Sequence, residues 1–80
     1  MSNEKYKNYL LDLGTITKEY AREAISEHKE AKGSREEDFK TGYMAGFHRL
    51  VTLMQHQAEA FEIPLEEIGL ADIEENEFLK

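Results

Sequence analysis

The chain has 80 residues, a net charge of −7 and no cysteine. That is enough for one domain with a core of marginal size and no disulfide to reinforce it, so oligomerisation is the expected remedy. No apolar run reaches the ~18 residues of a membrane span and the polar N-terminus has no signal-like h-region, so the expectation is a cytoplasmic protein without membrane contact.

The first predicted element is a single helix over about residues 4–32. Gly14 costs about 1 kcal/mol in a helix interior and invites a break there. The helical wheel argues for continuity, because three faces keep their phase across it. Lys7, Lys18, Arg22, Lys29 and Lys32 form a basic stripe, while Asp12, Glu19, Glu23, Glu27 and Glu30 form an acidic one. Tyr6, Tyr9, Leu10, Leu13, Ile16, Tyr20, Ala21, Ala24 and Ala31 fill the remaining arc.

Stop and start signals stand back to back at Gly33-Ser34. Lys29 and Lys32 suit a helix C-terminus, and Gly33 suits the left-handed residue after it. Ser34 and Glu37 read as a capping box, with Glu36 and Asp38 adding negative charge to the new first turn. So short a connection predicts antiparallel helices.

The second helix is predicted over about residues 35–61, ending before Pro64. Met44, Phe47, Val51, Met54, Ala58 and Phe61 step by alternating threes and fours as a heptad seam. Phe39, Tyr43, Leu50 and Leu53 add a second stripe beside it, and together the two cover an arc of about 160°, wider than an ordinary surface helix buries. Such a helix needs partners on two sides.

About Gly33-Ser34, paired positions sum to about 67. Phe47 is then opposite Tyr20, Tyr43 opposite Ala24, Val51 opposite Ile16, Met54 opposite Leu13, and Phe61 opposite Tyr6. Helix 1 covers one stripe of helix 2. The other is left for a second copy, making a four-helix bundle. Gly46 borders the apolar arc and leaves room for a bulky neighbour.

Residues 62–80 hold seven acidic side chains against one basic, and so carry most of the net charge. Leu65–Ile68 is expected to form one turn closed by Gly69. Leu70, Ile73, Phe78 and Leu79 are too apolar for a tail that only solubilises. The extension is expected to dock on the Lys18/Arg22/Lys29 stripe, within or between subunits, or on an external partner. Its apolar residues must then supply most of the energy.

Catalytic and cofactor signals are weak. None of the three histidines begins an H-x-x-x-H pair or ends an E-x-x-H pair, the helical spacings that aim ligands at one metal ion, and only Glu59 lies near His56, so they read as surface residues. There is no cysteine, no serine in a G-x-S-x-G setting and no glycine-rich phosphate loop. Catalytic, cofactor and metal residues are therefore expected to be none. Met44, Met54 and their aromatic neighbours read as core rather than an adaptable groove.

The sequence thus reads as an all-α helical hairpin with an acidic C-terminal extension, dimerising into a four-helix bundle. The expected interface and core residues are Phe39, Tyr43, Met44, Phe47, Leu50, Val51, Leu53, Met54 and Phe61. The expected function is a non-enzymatic protein–protein interaction module, a small accessory, adaptor or inhibitor acting as a homodimer on an unidentified protein partner. The alternative is a nucleic-acid-binding hairpin dimer using the basic stripe of helix 1, against which stand the acidic balance and the interleaved glutamates.

Overall fold

A computed structural model describes residues 3–79. Helix α1 runs Asn3–Glu30 and helix α2 runs Glu37–Ala60, followed by two short 3-10 turns, Leu65–Ile68 and Glu75–Phe78. There is no strand among the described residues. The helices pack as the expected hairpin, and the C-terminal segment folds back across both as a strap. The molecule measures 51 × 20 × 16 Å, so it is long and one hairpin deep.

Two contacts show the register. Tyr20 meets Phe47 edge-on with ring centroids 6.4 Å apart, and Lys40 Nζ lies 2.9 Å from Glu27 Oε1. Both agree with the positions predicted to be level. Ile16, expected opposite Val51, turns outward and is exposed, whereas Val51 is buried. Tyr6 and Phe61, expected opposite each other, are both largely exposed at the open end of the hairpin. The level of each residue follows from the hinge, but which side it faces does not.

The hinge differs in detail from the predicted capping box. Gly33 takes a φ of 82°, the left-handed geometry expected after a helix. Ser34 Oγ accepts from the N–H of Glu36 at 3.1 Å, and Glu37 Oε1 accepts from the N–H of Gly33 at 3.0 Å. The serine hydroxyl thus closes a local turn two residues on, and α2 begins at Glu37 rather than near 35. α2 ends in a Schellman motif: Ile63 N–H donates to Ala58 O at 2.8 Å and Glu62 N–H to Glu59 O at 3.0 Å. Its left-handed residue is Glu62, at φ 60°, where glycine is the usual occupant.

α1 is continuous through Gly14, and the structure supplies the reason for a glycine there. The strap crosses α1 at this point, and a Cβ on Gly14 would overlap the carbonyl oxygen of Ile68. Gly69 lies in the same crossing at φ 72°, where a Cβ would come within 2.5 Å of Thr15 Oγ1. Beyond the crossing, Leu70, Ile73 and Phe78 join Ile68 in the core. The helices contribute Ala21, Ala24, Ile25, Met44, Val51 and Ala58 to the same cluster. The small residues of α1 leave the helices close together, and the strap supplies much of the bulk.

Gly14→Ala should therefore destabilise the protein although alanine is the better helix former. Gly42→Ala, which meets nothing within 4 Å, should stabilise it by about 0.5–1 kcal/mol. Thermal melts of both variants check this, and a stabilised Gly14→Ala would place the strap elsewhere. Glu62→Gly relieves the left-handed strain and should raise stability by about 1 kcal/mol; an unchanged or lowered melting temperature would show that the Glu62 backbone is not strained.

Candidate functional site

The hairpin is a two-helix layer with two broad sides, and the strap covers one of them. Lys18 Nζ donates to Asp72 Oδ1 at 2.8 Å. Arg22 reaches three acceptors: the Asp72 carbonyl oxygen at 2.8 Å, Glu77 Oε1 at 3.2 Å and Glu77 Oε2 at 3.3 Å. The Glu77 carboxylate also accepts the N–H of Glu74 at 3.2 Å and closes a capping box on the second 3-10 turn. From α2, the Gln55 amide donates to the carbonyl oxygens of Leu70 and Ile73, each at 3.0 Å. His48 stacks on Phe78 with centroids 4.7 Å apart and planes 7° from parallel, and its Nε2 lies 3.3 Å from Glu75 Oε2.

This face is therefore self-satisfied. The strap docks within its own chain, through the Lys18/Arg22 part of the predicted stripe. The Arg22 hydrogen bond holds the Glu77 carboxyl below its ordinary range, with help from the Glu74 N–H. Lys18 does the same for Asp72, and the Glu77 hydrogen bond raises Arg22 in turn. Among the expected docking residues Leu70, Ile73 and Phe78 are buried, while Leu79 is 70% exposed. Lys7, Lys29 and Lys32 of the stripe are exposed and make no ion pair among the described residues.

The opposite side is bare. On α1, Tyr6, Tyr9, Leu13, Ile16 and Tyr20 recur with heptad spacing and are all exposed. On α2, Phe39, Tyr43, Leu50 and Leu53 do the same, with Phe61 at the end. The two seams meet in an aromatic row: Phe39 stacks on Tyr43 at 6.2 Å, Tyr43 meets Phe47 edge-on at 5.3 Å, and Phe47 meets Tyr20. A shallow groove of about 320 Å³ lies beside it, lined by Gly42, Tyr43, Gly46, Phe47 and Leu50.

The predicted interface and core residues thus divide in two. Met44 and Val51 are buried, and Phe47 and Met54 are half-buried against them. Phe39, Tyr43, Leu50 and Leu53 lie bare, as the stripe left over by the hairpin, and so does Phe61, which the heptad seam places against helix 1. Sequence reasoning missed His48, which is stacked rather than a surface residue, and Gln55, which holds two strap carbonyls. Both stand in one row with Met44, Val51 and Ala58 at helical spacing, a signal that was present but masked by their polarity. Among the described residues no group of three or more histidine or acidic side chains is placed to hold a metal ion, and no helix is long and apolar enough to cross a membrane.

Acid should loosen the strap. Asp72 and Glu77 are held below their ordinary values of 3.8 and 4.5, so the unfolded chain binds protons at a higher pH than the folded one. Their stabilisation is complete above those values and is lost as pH falls through the depressed folded ones. The melting temperature of Arg22→Ala should start lower and fall less steeply with acid than that of the wild type. Identical acid slopes would mean that Arg22 does not hold these carboxylates. Comparison with protein-family models, curated proteins and solved structures finds no match for this chain.

Proposed function

We propose that the chain is a non-enzymatic protein–protein interaction module, a small accessory, adaptor or inhibitor protein of the cytoplasm that works as a helical homodimer. The observation that carries this reading is the bare face. Its ten exposed apolar side chains present on the order of 1,000 Å². The largest apolar patch on a typical monomer is about 300–600 Å², and a stable interface needs about 800 Å² per partner.

The position of the patch supports the same reading. The other side of the hairpin already carries its own cover, so the exposed apolar residues are gathered on one side. The nucleic-acid alternative is weakened by the strap: two of the five stripe cations, Lys18 and Arg22, are held by its carboxylates. The absence of cysteine and of a serine or phosphate-loop motif in the sequence favours a binding role over catalysis.

Leu50 is 42% exposed and lies outside the buried cluster, so a charge there is tolerated by the single chain and not by an apolar interface. Light scattering should give the wild type a mass near twice 9.3 kDa at micromolar concentration. Leu50→Glu should be monomeric with an unchanged helical circular dichroism spectrum. A wild type that stays monomeric at about 100 µM, a concentration at which even weak dimers form, overturns the proposal.

A further inference from the structure

The bare face is flanked by an acidic edge on α1 and by an edge of mixed charge on α2 that carries Arg49. Along the outer edge of α1, on the side away from α2, the wheel places Asp12, Glu19, Glu23 and Glu30. Along the outer edge of α2 it places Arg49 and His56, with Asp38 nearer the hinge. The Tyr20–Phe47 and Glu27–Lys40 contacts set the levels. On that scale Glu19 is level with Arg49, and Asp12 with His56. Gly46, around which a Cβ would meet nothing within 4 Å, is level with Tyr20.

A surface with an acidic α1 edge, on which Glu19 is level with Arg49 of the α2 edge, brings those two opposite charges together under one symmetry only. A two-fold axis along the length of the hairpin sets α1 of one copy on α2 of the other at the same level. Glu19 then meets the partner's Arg49, Asp12 lies beside the partner's His56, and Tyr20 fills the gap over the partner's Gly46; one like-charge pair on each edge, Glu30 with the partner's Asp38, falls at the exposed hinge end. A two-fold axis across the hairpin instead sets α1 on α1, with acidic edge against acidic edge and Arg49 near a second arginine. Like charges at an interface select against that arrangement.

We infer that the occupant of the bare face is a second copy of this chain related by a two-fold axis parallel to the long axis, so that α1 of each copy packs on α2 of the other and both Gly33-Ser34 hinges lie at one end. The inference rests on the dimer reading above and adds its arrangement. The two layers lie about 10 Å apart, and the aromatic row of each copy runs against the apolar seam of the other. The straps end up on the two outer surfaces, exposed to solvent.

The test uses Ser34→Cys, the chain's only cysteine, carrying a nitroxide spin label. Paired electron resonance should find the two labels within about 25 Å, given layers about 10 Å apart. The crossed arrangement would separate them by roughly the full 51 Å of the molecule. In parallel, Glu19→Lys and Arg49→Glu should each weaken dimerisation several-fold, and an equimolar mixture should recover wild-type affinity, because both edge pairs of the heterodimer are then opposite in sign. Labels near 50 Å in a dimer of normal affinity, or single variants whose mixture gains nothing, overturn this arrangement and leave the dimer standing. A monomeric wild type overturns the dimer reading and this inference with it.

Discussion

The crossing of the strap over α1 at Gly14 is the contact on which the rest of the structure depends. At that point the backbone of Ile68 approaches the helix so closely that no side chain fits between them. The close approach aims the next residues across the groove between the helices, where Leu70 and Ile73 become buried and Gln55 takes up their carbonyls. A backbone lying in an apolar groove must have its polar groups satisfied, and a glutamine amide with two donors is suited to do it. The glycine that weakens α1 as an isolated helix is what admits the third element of the core.

The strap also explains why so thin a layer can hold together. The α1 side of the core is made of Ala21, Ala24 and Ile25, too little volume to bury much against α2 alone. Leu70, Ile73 and Phe78 supply the missing bulk, each contributing about 1.5–3 kcal/mol when taken out of water. The ion pairs at Lys18 and Arg22 are partly exposed, so their role is chiefly to set the register of an acidic segment on a helix that otherwise bears many carboxylates. Apolar burial holds the strap down, and charge decides where it lies.

Covering one side of a two-helix layer leaves the other side as the molecule's principal apolar surface. The residues there are heptad-spaced and aromatic-rich, and their flanking charges are acidic on α1 and mixed, with Arg49 at the centre, on α2. Those properties are what a helix-on-helix contact requires, since knobs need periodic spacing and flanking charges select the partner's orientation. The division of labour is therefore spatial: one side stabilises the monomer, and the proposed binding function occupies the other.

Much of this was readable in the residues themselves. The in-phase faces predict two long helices, and Gly33-Ser34 predicts their hairpin. The excess width of the apolar arc on α2 predicts that something besides α1 must cover it. These follow from local rules, because the period of a helix and the geometry of its ends depend on neighbours a few positions away. Other features depended on residues brought together from 15 to 55 positions apart. The sequence could not say that Gly14 is a crossing point rather than a weak spot, nor that His48 and Gln55 face the strap. Nor could it say which of the two stripes on α2 is buried and which stays bare. Those choices were made by the strap's path over the hairpin, and a path set by close backbone approach leaves no periodic trace in the chain.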